Sequence, residues 1–177
     1  MPEEGFKVWY EEQERKMKNL IVFYSLEGNT EYAANRLKET IVADTLKLVP
    51  VKAYADKGFA KFFWGGKSAV MAEKPALEPY SVDLTQYDRV IFGFPVWASN
   101  VTPPLRTFIE EHRSSLAGKK ISAFACQSGG GAPKAFMKLA ECIGIEAFQK
   151  TAIFIDPKSK HTDETDALID NFGKELL

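Results

Sequence analysis

Leu20-Ile21-Val22-Phe23-Tyr24-Ser25-Leu26-Glu27-Gly28-Asn29-Thr30 is the stretch on which the fold reading turns. Its first five residues form a short apolar run, the signature of a strand buried on both faces. Ser25 to Thr30 is turn chemistry. Beyond it, from about Glu31 to Ile41, Ala33, Ala34, Leu37 and Ile41 recur at helical spacing.

Working outward, the same rhythm repeats. A second strand is expected at Thr45-Leu46-Lys47-Leu48-Val49, stopped by Pro50. A third, Arg89-Val90-Ile91-Phe92-Gly93, leads through a loop to Pro103-Pro104, which opens a helix around Leu105 to Ile109. The fourth, Ile121 to Cys126, runs into Gly129-Gly130-Gly131 and then a helix containing Phe136, Leu139 and Ala140. The fifth lies near Ala152 to Ile155, followed by a last helix from about Asp163 to the end, with Leu168, Phe172 and Leu176 on one face. Alternating strand and helix predicts a doubly wound parallel sheet with helices on both faces, an α/β three-layer sandwich.

At 177 residues the chain suits one domain with a full core and scarcely two. Residues 1–18 read as a charged N-terminal extension and 19–177 as the domain. Lys52 to Gln86, carrying Phe59, Phe62, Phe63, Trp64, Gly65, Gly66, Met71 and Pro75, is too long for a simple crossover. A helix around Lys57–Trp64 sending its aromatics into the core is the preferred account of this insertion; a cover over part of a ligand pocket is the sharper one.

Composition narrows the function. A formal net charge of -1 gives no basic face for nucleic acid or an anionic membrane. The two cysteines, Cys126 and Cys142, fit neither a CxxC pair nor a zinc site and point to a reducing compartment. The leader has no apolar signal-peptide core and no run is long enough to cross a bilayer, so a cytoplasmic location without membrane attachment is expected. His112, among Glu110, Glu111 and Arg113, and His161, in a polar loop, read as solvated, and no metal site is expected. Cys126 reads as a buried structural thiol.

Ligands of open α/β sheets bind beyond the carboxyl ends of the strands. Three loops lie there. In Ser25-Leu26-Glu27-Gly28-Asn29-Thr30, Gly28 permits close backbone approach, Ser25, Asn29 and Thr30 supply neutral donors, and the next helix points free N–H groups and its dipole at the same spot. A terminal phosphate can be held there without Arg or Lys; a plain helix N-cap is the competing account. No GK[ST] follows and the spaced glycines of a dinucleotide fingerprint are missing, so the anion expected is a monophosphate. The second loop, Gly93 to Pro104, presents Trp97, whose face can pack on a flat aromatic ligand or simply roof the core. The third, Gln127-Ser128-Gly129-Gly130-Gly131-Ala132-Pro133, offers exposed backbone along which a bulky ligand can lie, or an ordinary turn.

Ile21 to Thr30 followed by a helix resembles the opening of flavodoxins and flavodoxin-like reductases. Phe92-Gly93-Phe94-Pro95-Val96-Trp97, then Pro103-Pro104-Leu105-Arg106-Thr107-Phe108, is similar to the second flavin loop of that family. The resemblance runs from about Lys18 to the C-terminus. It implies a five-stranded parallel sheet in order 2-1-3-4-5 and bound FMN. It also implies that the first loop, Ser25, Leu26, Glu27, Gly28, Asn29 and Thr30, holds the FMN phosphate. Pro95, Val96, Trp97, Ala98 and Ser128, Gly129 and Gly130 would flank the isoalloxazine, with Asn100 a polar contact.

Two departures bear on activity. Electron-carrier flavodoxins crowd acidic residues around the flavin and stack a second aromatic from the third loop. Here Ala98–Pro104 has no acid, and Gly-Gly-Gly stands where the aromatic would be. The expectation is an FMN-binding redox protein, tilted towards a small NAD(P)H-dependent reductase of quinone-like acceptors. An electron carrier docking on a protein partner and a flavin-free interaction module are the alternatives. No side-chain catalytic acid or base is expected, since the chemistry belongs to the flavin.

Overall fold

The computed structural model describes residues 17–54 and 66–177. Its sheet is built from β1 (Asn19–Phe23), β2 (Ala43–Lys47), β3 (Arg89–Pro95), β4 (Lys120–Gln127) and β5 (Thr151–Ile155). All neighbours are parallel and the order is β2-β1-β3-β4-β5, the expected flavodoxin-like arrangement. The helices are α1 (Asn29–Ile41), α2 (Pro103–Leu116), α3 (Ala132–Ile143) and α4 (Asp163–Leu176), with a further helical stretch at 66–70.

Period-two alternation in strands buried on both sides divides the core in two. Leu20, Val22, Val90, Phe92, Phe94, Ile121 and Ala123 face α2 and α3, where Leu105, Phe108, Phe136 and Leu139 meet them. Ile21, Phe23, Ile91 and Phe124 face the other way, onto Ala33, Ala34, Leu37 and Ile41 of α1 and Ile169, Phe172 and Leu176 of α4. Gly93 of β3 leaves the room that the Phe124 ring occupies.

Two local expectations shift. The second strand begins at Ala43, two residues before Thr45, because its register is set by β1 pairing from Asn19 onward. Leu168 does not share the buried face of α4: it is exposed, and Ile169 takes the core position beside Phe172 and Leu176. The helix expected around Lys57–Trp64 lies outside the described residues, as does nearly all of the N-terminal extension. No helix among the described residues is long and apolar enough to cross a membrane.

Candidate functional site

The first loop delivers the chain from β1 into α1 through Gly28, whose φ of 93° lies in the left-handed region that side-chain-bearing residues avoid. Ser25 Oγ accepts from Glu31 N at 3.2 Å, satisfying one early amide of the helix. Gly28, as N-cap, has no side chain to offer, and no side chain among the described residues caps Asn29 N or Thr30 N. Thr30 is 1% exposed; its Oγ1 meets the Cys126 thiol and has no nitrogen or oxygen partner among the described residues. A buried hydroxyl with only a weak sulfur partner, beside uncapped amides at the positive end of a helix, is a donor set suited to an anion.

Asn29 does something the sequence does not announce. Its Oδ1 accepts from Lys158 N at 2.9 Å, Ser159 N at 3.0 Å and Ser159 Oγ at 3.2 Å, fastening the loop after β5 to the first loop.

In the second loop, Trp97 to Asn100 forms a tight turn closed by Asn100 N donating to Trp97 O at 3.0 Å. Both central residues, Ala98 (φ 48°) and Ser99 (φ 55°), are left-handed, as such a turn demands, yet neither is glycine. Gly131, itself at φ 103°, leaves the space that Ser99 occupies, locking the second loop onto the third. Trp97 meets Tyr24 edge-on at 5.6 Å between centroids and Tyr54 at 5.2 Å, so it packs on the core and borders the cleft at once. Burial pushes the Tyr54 hydroxyl up to about 12 and the Tyr24 hydroxyl higher still, leaving both neutral. Asn100 is buried at 2% exposure; its Oδ1 accepts from Val101 N at 3.0 Å and from Arg106 Nη2.

The third loop is braced at both ends. Gln127 Oε1 accepts from Ala132 N at 3.0 Å, and Ser128 Oγ donates to Asp156 Oδ1 at 2.6 Å. Asp156, left-handed at φ 43° and buried, also pairs through Oδ2 with Lys160 Nζ at 2.8 Å. At Gly129 and Gly130 an added Cβ would meet nothing within 4 Å among the described residues.

Between these loops lies a cleft of about 380 Å³. Of the residues expected from the sequence, Glu27, Asn29, Pro95, Val96, Trp97, Ala98 and Ser128 line it. Ser25 and Leu26 border a smaller recess of about 160 Å³ with Tyr24, Lys47 and Tyr54. Gly28, Thr30, Asn100, Gly129 and Gly130 line neither. Gly66, Cys126, Gln127 and Asp156 join the cleft unforeseen as site residues. Cys126 is buried and burial pushes its thiol up to about 12, so it stays protonated and unreactive.

The flavodoxin family model matches residues 18–167. The chain belongs to the flavodoxin family. Among solved structures, the chain is similar to a flavoprotein from Lactobacillus acidophilus in complex with FMN, at 18% identity and a TM-score of 0.68, covering 86% of this chain and 98% of that one. It is also similar to a candidate flavoprotein from Bacteroides uniformis, at 22% identity and TM-score 0.71, over 90% and 99% of the two chains. Two-electron reduced flavodoxin from Megasphaera elsdenii matches at 18% identity and TM-score 0.53, over 88% and 98%. At these identities the likeness is one of fold.

The sequence does not mark Asp156, which lines the cleft, or Lys158, whose side chain lies along Gly28. Both come from Asp156-Pro157-Lys158-Ser159-Lys160, which reads as a polar turn. The available signal was positional: this segment ends the fifth strand, on the same sheet edge as the three loops that were chosen.

Proposed function

We propose that this chain binds FMN in the cleft at the carboxyl edge of its sheet and works as a small NAD(P)H-dependent reductase of quinone-like acceptors. The site fits the cofactor. The cleft volume lies within the range of about 300–1,000 Å³ common for small-molecule sites. The Thr30 hydroxyl, held only by the Cys126 thiol, and the uncapped start of α1 suit the phosphate. Pro95 to Ala98 on one side, and Ser128 to Gly130 on the other, would flank the ring system. Bound FMN supplies hydride and electron transfer at its N5 position. The protein binds and orients the ring, and Cys126 on the cleft and Tyr24 and Tyr54 on the neighbouring recess stay neutral. The FMN complex of the Lactobacillus acidophilus flavoprotein, the same fold, supports the cofactor assignment.

The observation that carries the reductase reading is the room that the described residues leave at Gly129 and Gly130. Where electron carriers stack an aromatic, this loop leaves room for a nicotinamide or a flat acceptor to approach. Against it, Glu27 and Asp156 place two carboxylates on the cleft, which favours an electron carrier by disfavouring a reduced, anionic flavin. Asp156 is partly neutralised by Lys160, which mutes that effect.

The test is an absorbance spectrum after FMN is added and the excess removed, followed by anaerobic titration with NADPH and NADH. Retained flavin bands that bleach rapidly with one nucleotide are expected. Retained flavin that neither nucleotide reduces would move the assignment to a carrier with a protein partner. Loss of all flavin at micromolar protein would leave the interaction module.

A further inference from the structure

The first loop contains no cation and does contain Glu27, so by its own sequence it would hold a phosphate dianion through dipoles alone. The folded chain brings a cation there from elsewhere. A Cβ built on Gly28 would stand 2.7 Å from Lys158 Nζ and 3.1 Å from Lys158 Cδ: the lysine side chain lies along the glycine of the anion loop. Its backbone is held in place, because Asn29 Oδ1 accepts from the amides of both Lys158 and Ser159. The turn is closed behind it by Lys160 N donating to Asp156 O at 2.8 Å. Two other lysines of this edge sit in ion pairs, Lys47 with Glu31 at 2.9 Å and Lys160 with Asp156 at 2.8 Å. Glycine at position 28 thus serves two ends. It accepts the left-handed backbone that starts α1, and it leaves the room over which the ammonium lies.

We infer that Lys158 is the counter-charge of the flavin phosphate, tethered by Asn29, and that it makes this site select FMN over unphosphorylated riboflavin. This rests on the FMN reading above. A phosphate carries about -1.5 to -2 charges at neutral pH, of which a helix terminus offsets roughly half of one. One ammonium at the same spot converts dipole contacts into charge-assisted ones and makes binding depend on salt. Lysine suits this role as a compact charge on a flexible stem that can follow the phosphate.

The experiment measures dissociation constants for FMN and riboflavin by flavin fluorescence at low and high salt. It uses the full-length protein, Lys158→Ala and Lys158→Arg. Lys158→Ala is expected to weaken FMN about tenfold at low salt, leave riboflavin unchanged and flatten the salt dependence. Lys158→Arg should retain most of the FMN affinity. Riboflavin binding doubles as the check that the variant is folded. Unchanged or tighter FMN binding by Lys158→Ala overturns the inference; in the second case the lysine competes with the phosphate. Equal weakening of both ligands overturns it too, because the residue then only braces the loop. A wild-type protein that binds riboflavin and FMN equally removes the selectivity, whereas one that binds neither overturns the flavin reading itself.

Discussion

The two edges of the sheet treat their polar groups in opposite ways. At the amino edge, Arg89 is 2% exposed, yet its guanidinium donates to Gln149 Oε1 at 3.0 Å and Asn19 Oδ1 at 3.2 Å. Asn19 in turn donates to the carbonyls of Met17 and Ile41. Buried polarity there is spent on tying β1, β3 and the segment before β5 together. At the carboxyl edge, Thr30 Oγ1 is buried with only the Cys126 thiol as partner, and Ala98, Ser99 and Asp156 hold left-handed backbone without being glycine. Three of the five left-handed non-glycine residues among the described ones thus lie where the loops surround a cleft, the others being Val42, at the amino end of β2, and Ala72. One edge is therefore read as scaffold and the other as site.

That division can be broken most forcefully at Arg89. Arg89→Met should cost about 2–3 kcal/mol of unfolding free energy, because Asn19 Oδ1 and Gln149 Oε1 lose a charged donor inside the protein. Urea titration with an unchanged slope would measure it, and the folded variant should bind FMN as the wild type does. A weakened flavin affinity would mean that the two edges are coupled. Next in size is Gly28→Ala. Its φ of 93° should cost about 1–2 kcal/mol of stability. Because the new Cβ would press on the Lys158 side chain, FMN affinity should also fall about tenfold, the factor argued for losing that one cation. Here both readouts should move together, unlike at Arg89.

The sheet and three of the four loops at its carboxyl edge were readable because their signals are local. Leu20 to Tyr24 shows burial on both faces without reference to any other residue, and Gly28 advertises its turn. Trp97 and Ser128 line the cleft, where local composition had put them. The β5 loop was not readable. Lys158 acquires meaning only through contact with Asn29, 129 residues earlier in the chain. Asp156 acquires it only through Ser128 and the neighbouring strand. Asn100 illustrates the reverse. Its residue type and place suggested a ligand contact, while the folded chain directs its carbonyl to Val101 N and Arg106. Pairings between distant segments leave no periodicity in a sequence, so strand order has to be known before the last loop can be assigned.

The open third loop gives a sharper test of what the site is for. Gly130 is not among the glycines with positive φ, and a Cβ there would meet nothing within 4 Å among the described residues. Gly130→Trp should therefore leave stability within about 0.5 kcal/mol. If the open loop admits a nicotinamide, the indole should slow anaerobic reduction by NADPH about tenfold, roughly 1.4 kcal/mol of barrier. FMN affinity should hold or rise, since an aromatic can pack on the ring. Unchanged reduction would place the nucleotide elsewhere and remove the principal support for the reductase reading.

The smallest expected effect separates the edges most cleanly. Thr30→Val is nearly isosteric and removes a hydroxyl that has no nitrogen or oxygen partner among the described residues, only the Cys126 thiol. Threonine-to-valine changes in a core normally cost stability because a hydrogen bond goes with the hydroxyl. Here only a weak bond to the Cys126 thiol is lost, so urea unfolding should change by no more than a few tenths of a kcal/mol. FMN binding should nevertheless weaken about five- to tenfold, the usual worth of one hydrogen bond to a charged group. A stability loss above about 1 kcal/mol, with flavin affinity intact, would show that the hydroxyl belongs to the scaffold. In that event Thr30 would join Asn19 and Arg89, and the carboxyl edge would lose the buried donor on which its anion site depends.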